Sequence, residues 1–254
     1  MTISLLNIPL FTSSLLLSAF AADLGPQHAS EGLPIETRQV AQIEATGTPA
    51  VAPALTVDAD PAIATLARLQ SVYDNMADFS ADFTQRYTNL AAGDTRELRG
   101  TVYFLRPGMM RWDYSVPDSR HLVTDGETFW SVEPAQQQYF EAPLAEAQLP
   151  TALRFLTGEA TLSDDFTVSG LEDSSAERAR LELTPREPTG DYEYLVFDVE
   201  RTTGHLLQIA IYDAFGNENT FAFSESQFDV GLDASAFQYA PSAEYTRVEA
   251  PTSP

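Results

Sequence analysis

Gly100-Thr-Val-Tyr-Phe-Leu-Arg-Pro-Gly-Met-Met-Arg-Trp-Asp-Tyr114 is a sequence typical of a β-hairpin. Its central Pro-Gly dipeptide combines a preset φ with a residue that tolerates a positive φ, and both flanks are rich in β-forming residues. Because side chains alternate along a strand, Met110, Trp112 and Tyr114 are predicted to share one apolar face. Such a face is suited either to a protein core or to the wall of a site for a variable apolar ligand, and the residue types leave both open.

An amphipathic helix is predicted upstream of this hairpin. Asp60 is a suitable N-cap, and Pro61 favours the first helical position. Leu66, Leu69 and Tyr73 follow at three- and four-residue spacings, which places them on one face of the helix. We expect that face to pack against strands.

The remainder of the chain predicts short strands joined by turns. Residues 79–87 alternate with a period of two, and similar segments recur as far as residue 225. They are interrupted at residues 149–158, where Leu153 and Leu156 share one face of a short predicted helix that ends at Gly158. About eleven antiparallel strands with two helices fit one strongly curved sheet or open barrel.

Composition excludes several classes of function. A net charge of -23 argues against nucleic-acid binding, because phosphates would be repelled. The chain has no cysteine, and all 14 of its cationic residues are arginines, so thiol catalysis, disulfides and lysine Schiff bases are excluded. Partners are therefore expected to be neutral, apolar or basic.

Both ends of the chain differ from its centre. Residues 1–21 resemble a cleaved secretory signal, although an uncleaved anchor or a mis-assigned start is an alternative because the segment lacks Lys and Arg. Residues 22–60 are acidic and rich in Ala, Pro and Thr, which predicts a disordered tether. The globular domain is expected at residues 61–241 and a polar tail at residues 242–254.

A catalytic or metal site is only weakly indicated. The three histidines are scattered and lack the spacing of metal ligands, so we expect no metal and no cofactor. A secreted hydrolase using His121 with Asp113 or Asp125 is a less favoured alternative. Asp125 precedes a glycine at a predicted turn, where its side chain would instead accept backbone hydrogen bonds.

Four blocks in order resemble the LolA family of periplasmic outer-membrane lipoprotein carriers. They are residues 79–85, 100–114 and 122–130, followed by Pro134. The resemblance extends over about Leu66 to Tyr239 and implies a half-open antiparallel barrel with a helical lid over an apolar cavity. It also implies a carrier rather than an enzyme.

The resemblance also assigns roles to individual residues. Arg106 matches a family arginine that hydrogen-bonds to the lid and holds the empty cavity closed. Residues of the predicted lid helix are Leu66, Leu69 and Tyr73. The residues expected to line the cavity and contact acyl chains are Phe83, Phe104, Met110, Trp112, Tyr114, Leu122, Trp130, Leu153 and Leu156.

By resemblance, the partners are the acyl chains of outer-membrane lipoproteins, an inner-membrane ABC exporter that supplies them and, where one exists, an outer-membrane receptor. We expect a periplasmic monomer that does not bind nucleic acid. An acyl-chain-binding sensor and a glycolipid carrier of the same architecture are the alternatives.

Overall fold

A computed structural model describes residues 60–144, 155–156 and 161–248. The predicted signal segment, all but the last residue of the predicted tether, and most of the predicted 149–158 helix lie outside these ranges. The described residues form one curved, unclosed sheet with two helices. The expectation of a strongly curved, mainly antiparallel sheet is therefore confirmed.

The sheet contains twelve strands in the order β12-β6-β5-β4-β3-β2-β1-β11-β10-β9-β8-β7. Neighbouring strands are antiparallel except for β12 and β6, which are parallel. The strands are β1 (Asp78–Asn89), β2 (Asp94–Leu105), β3 (Met109–Val116), β4 (Arg120–Thr124), β5 (Thr128–Glu133), β6 (Gln138–Pro143), β7 (Phe166–Gly170), β8 (Arg178–Pro185), β9 (Tyr194–Glu200), β10 (Leu206–Tyr212), β11 (Glu218–Phe228) and β12 (Thr246–Val248).

Helix α1 (Pro61–Asn75) begins where the sequence predicts. The Asp60 side chain accepts a hydrogen bond from the Ala62 amide at 2.9 Å, and Pro61 occupies the first helical position. The helix packs on one face of the sheet, against β7 and β8. That face is called the inner face below, and the opposite face is called the outer face.

A second helix, α2 (Leu162–Asp165), is a single turn that lies beside α1. Short 3₁₀ turns span Pro134–Gln136 and Ala234–Phe237, and the Asp233 side chain caps the latter by accepting a hydrogen bond from the Ser235 amide. Within the predicted polar tail, Thr246–Val248 pairs with β6 as the twelfth strand. Three residues are too few to show a strand period, and only the neighbouring strand supplies their hydrogen-bond partners.

The two faces of the sheet bury separate apolar clusters. The larger cluster lies between the inner face and α1. The smaller one consists of Val123, Trp130 and Val132 on the outer face, with Tyr139, Tyr239 and Tyr245 packed against it. A sheet covered on both faces over part of its area is stabilised there by burial on both sides.

Candidate functional site

The predicted β2–β3 hairpin forms the centre of the inner face. Its register pairs Phe104 with Met110 and Val102 with Trp112. Alternation then directs Met110, Trp112 and Tyr114 inward, and each is at most 3% exposed. The structure brings these residues together with Phe83 and Phe104 in the larger cluster.

Aromatic rings dominate this inner surface. The Phe83 ring lies 4.8 Å from the Trp112 ring and 4.9 Å from the Tyr114 ring, in edge-on geometry. Trp112 also contacts Phe221 of β11, at a centroid distance of 5.4 Å. Phe221 and Phe223 were not among the predicted site residues, although the alternation within β11 is the signal that identifies them. Such rings form a continuous apolar wall across several strands.

Gly100 makes the close packing of Phe83 possible. A Cβ atom added at Gly100 would lie 2.9 Å from Cε1 of Phe83 and 2.1 Å from the carbonyl oxygen of Asp113. No side chain fits at that distance, so glycine lets the ring rest directly on the β2 backbone.

Helix α1 packs mainly on β7 and β8, and its last turn reaches the wall at Phe79. Leu66, Leu69 and Tyr73 are buried, as the spacing predicts. The Tyr73 ring lies 6.0 Å from that of Phe79 and 5.6 Å from that of Phe155. Burial raises the pKa of Tyr73 more than the hydrogen bond from the Leu206 amide lowers it, so the hydroxyl stays neutral.

Arg106 joins the end of the β2–β3 hairpin to the end of α1. Its Nη1 donates to the carbonyl oxygen of Tyr73 at 3.0 Å and to that of Asp74, and its Nη2 lies 3.6 Å from Oδ1 of Asp74. The last carbonyls of a helix lack partners within the helix and carry partial negative charge, so a guanidinium is well suited to bind them. Arg106 is thus placed to hold α1 against the sheet.

Residues 155–156 also occupy the inner face. Phe155 and Leu156 are fully buried, and the Phe155 ring lies 5.6 Å from that of Phe197 in β9. Leu156 therefore belongs to the larger buried cluster, as the wall residues of β1–β3 do. Leu153, and the helix expected to carry it, lie outside the described residues.

The two remaining residues expected in the wall, Leu122 and Trp130, lie on opposite faces of the sheet. Leu122 pairs with Trp112 and packs, half-buried, against the larger cluster. The structure corrects the position of Trp130, which pairs with Val123 and lies in the outer cluster. Successive residues of β4 face opposite ways, so the β4–β5 register places Leu122 and Trp130 on different faces. The Trp130 indole donates to Glu141 at 3.0 Å on the outer face.

Several hydrogen-bonded polar side chains border the apolar wall beyond Phe83. The Tyr114 hydroxyl donates to Oε1 of Gln85, and Nε2 of Gln85 donates to Oδ1 of Asn219, each at 2.9 Å. The Arg120 guanidinium lies 4.5 Å from the centre of the Tyr114 ring. Burial raises the pKa of Tyr114 more than this neighbouring charge lowers it. These contacts were not predicted, although the strand period does place Gln85 on the inner face.

The hydrolase alternative rests on His121, which lies on the outer face. Its Nδ1 is 2.6 Å from Oδ1 of Asp113, and the same carboxylate accepts hydrogen bonds from Arg111 at 2.8 and 3.0 Å. Burial raises the pKa of Asp113, but these hydrogen bonds and charges outweigh it, and the pKa lies below its usual range. Asp125 is not part of the group, because its Oδ1 accepts the backbone amides of Glu127 and Thr128.

Within the described ranges, no three His, Asp or Glu side chains are grouped to hold a metal ion. Neither helix of these ranges has the length and apolar character needed to cross a membrane.

Comparison with known proteins gives concordant matches. Residues 74–240 match the family model for the outer membrane lipoprotein carrier protein LolA. The outer-membrane lipoprotein carrier protein of Methylococcus capsulatus is 30% identical over 178 residues, which cover 69% of this chain and 83% of the relative. The protein of the same name from Neisseria gonorrhoeae is 27% identical over 171 residues, or 66% and 80% of the two chains. Both relatives are named as carriers rather than enzymes.

Among solved structures, a LolA superfamily protein from Nitrosomonas europaea aligns over 70% of this chain and 97% of its own, with 12% identity and a TM-score of 0.41. The family match from residue 74 to residue 240 contains strands β1–β11, whereas most of α1 precedes it and β12 follows it.

Proposed function

Because this chain belongs to the LolA family of outer-membrane lipoprotein carrier proteins, we propose that it carries lipoproteins across the periplasm with their acyl chains held against the inner face of the sheet. The observation that supports this most is the continuous aromatic wall of β1, β3 and β11, which the last turn of α1 contacts through Tyr73. A surface of this kind binds hydrocarbon without a specific polar contact.

The energetics suit a reversible carrier. Burying an acyl chain gains about 0.8 kcal/mol per methylene group. The wall residues share one buried cluster with α1, Phe155 and Leu156, so an acyl chain must displace some of the contacts within it. Losing them offsets part of the gain, which keeps binding weak enough for later release.

Arg106 is proposed as the latch of the closed, empty state. Its hydrogen bonds to the end of α1 exist only while the helix lies on the sheet. Loading would break them, and re-forming them would favour release. In this way one side chain couples the occupancy of the interior to the position of the helix.

The handover partners are an inner-membrane ABC exporter and, where present, an outer-membrane receptor. Support for both comes from family membership, since the relatives are named as outer-membrane lipoprotein carriers. Periplasmic export through the segment at residues 1–21 belongs to the same proposal.

The proposal is tested with the mature protein and inner-membrane spheroplasts that contain newly made lipoproteins. We expect lipoproteins to appear in the soluble fraction bound to the added protein. A matched control, Leu69→Asp/Trp112→Asp, places charges in the interior and should release none if it remains folded. Failure of the natural chain to release any lipoprotein would refute the carrier function.

A further inference from the structure

Two large apolar side chains are strongly exposed at the ends of neighbouring hairpins. Leu90 in the β1–β2 turn is 66% exposed, and Phe215 in the β10–β11 turn is 74% exposed. These are the highest values among the large apolar residues of the described ranges. Single exposed apolar residues are common, but two on adjoining turns form a small shared surface. This surface of residues 90–93 and 214–216 is called the tip.

The tip is held together by specific hydrogen bonds. Oδ1 of Asn217 accepts the Leu90 amide at 3.0 Å and so joins the two turns. Asp213 accepts the amides of Phe215 and Asn217, each at 2.9 Å, as well as the Asn217 side chain at 2.8 Å. The exposed side chains are therefore presented on ordered backbone, so little entropy remains to be lost on docking.

Gly216 allows the two turns to meet. Its φ is 77°, and an added Cβ atom would lie 2.8 Å from Cδ2 of Leu90. Glycine provides both the left-handed conformation and the space into which Leu90 packs.

Charge is distributed unusually around the tip. Residues 90–93 (Leu-Ala-Ala-Gly) and 214–216 (Ala-Phe-Gly) carry no charge. Residues 86–99 and 213–218, which surround the two turns, together contain three arginines, two aspartates and two glutamates, which gives +3 - 4 = -1, whereas the whole chain carries -23. The arginine side chains, Arg86, Arg96 and Arg99, are 60–63% exposed.

These arginines occupy both faces of the hairpin below the tip. Strand alternation places Arg96 on the face opposite Arg86 and Arg99. Their partners are Asp94 and Glu97, and such exposed ion pairs contribute little, so a guanidinium can exchange its carboxylate for a phosphate. Arg96 lies about 10 Å below the tip at the usual rise per strand residue, which is within reach of lipid phosphates when the tip enters the acyl boundary.

We propose that the tip is a docking site for a zwitterionic phospholipid bilayer, into which Leu90 and Phe215 insert while Arg96 binds lipid phosphate. The combination of uncharged projecting turns and flanking arginines favours a membrane over a protein pocket. The acidic remainder of the molecule disfavours anionic membranes and keeps the contact transient. This inference goes beyond the cargo and does not depend on which lipid the interior binds.

The test measures sedimentation of the full mature chain with phosphatidylcholine vesicles. We expect Leu90→Ser/Phe215→Ser to bind about tenfold or more weakly and Arg96→Gln to bind about threefold more weakly. The control Val116→Ser/Val230→Ser removes two other exposed apolar side chains and should bind as the natural chain does. Phe215→Leu should retain binding, and thermal unfolding verifies that every variant is folded.

Adding phosphatidylglycerol to the vesicles should weaken binding, because the chain is acidic overall. The proposal is overturned if the natural chain does not bind phosphatidylcholine, or if the tip and control variants bind equally. It is also overturned if the tip variant binds vesicles normally but loses contact with a protein partner. Uptake of a fatty-acyl probe from solution is measured in parallel and should be unchanged by the tip variants, so failure of docking is distinguishable from failure of the carrier function.

Discussion

Arg106 illustrates how one side chain connects local sequence to a long-range contact. The residue stands before the Pro-Gly turn of the hairpin, yet its hydrogen-bond acceptors lie more than thirty residues upstream, at the end of α1. The chemistry of the guanidinium makes it a good ligand for helix carbonyls. Only the path of the chain brings those carbonyls to it.

Replacing Arg106 with leucine should leave loading possible and impair release. The closed state loses charge-assisted hydrogen bonds, which costs about 2 kcal/mol. That loss lowers the ratio of closed to open molecules about thirtyfold. Release of a bound fatty-acyl probe, followed by fluorescence, is the measurement. Arg201→Leu is the matched control, because Arg201 likewise donates to a backbone carbonyl, that of Ser175 in the β7–β8 turn. Equal release from Arg106→Leu and the natural chain would contradict the latch.

Asp113 provides a second prediction at the level of the single residue. The pKa of Asp113 is lower in the folded protein than in the unfolded chain, where it is about 3.9, so the ionised carboxylate stabilises the folded state. This stabilisation is present in full above the unfolded pKa and is lost as the pH falls through the pKa of the folded protein. Asp113→Asn should lower the free energy of unfolding by about 1–2 kcal/mol at pH 5, with the difference shrinking below pH 4. Denaturant unfolding between pH 2 and 5 measures this, with exposed Asp118→Asn as the control. A difference that stays constant down to pH 2 would show that ionised Asp113 is not the cause.

Helix α1 is joined to the sheet mainly by packing, as the proposed function requires of an element that moves. It contacts β7, β8 and α2 through packing, and its polar connections to the rest of the chain are few side-chain contacts such as that of Arg68 with the Thr202 carbonyl at 3.0 Å. An element held mainly by one apolar face can move as a unit when a competing apolar ligand arrives.

Locking α1 to β7 should abolish loading. A Cβ atom added at Gly170 lies 3.7 Å from that of Ala62, which is the usual Cβ separation in a disulfide, and the chain has no other cysteine. Oxidised Ala62→Cys/Gly170→Cys should take up an acyl probe about tenfold or more weakly, and reduction should restore uptake. The single-cysteine variants serve as controls. Normal loading by the oxidised variant would mean that acyl chains enter without movement of the start of α1.

At the scale of the whole molecule, the sheet separates two apolar environments, and tryptophan fluorescence can distinguish them. The chain has two tryptophans, and the structure places Trp112 on the inner face and Trp130 on the outer face. The proposed cargo site and the small outer cluster therefore each contain one tryptophan.

A brominated acyl chain should quench Trp112 and leave Trp130 largely unaffected, because heavy-atom quenching requires near contact. Trp130→Phe isolates the first signal and Trp112→Phe the second, and steady-state fluorescence during titration is the measurement. Stronger quenching in the variant that retains only Trp130 would place the ligand on the outer face and contradict the proposed site.

Features that depend on neighbouring residues in the chain were accessible from the sequence. The N-cap and the apolar stripe of α1, the turn of the β2–β3 hairpin and the shared face of Met110, Trp112 and Tyr114 follow from backbone geometry that acts within a few residues. The strand pattern likewise predicts a large curved antiparallel sheet.

Other features are decided by contacts between distant segments. Trp130 lies on the face opposite Trp112, and the sequence does not show this because alternation within a strand does not specify its register against the next strand. Strand β12, the Gln85–Asn219 hydrogen bond and the contact of Arg106 with α1 each join groups far apart in the chain. Local preferences carry no information about such pairings, and the folded sheet alone brings the partners within hydrogen-bonding distance.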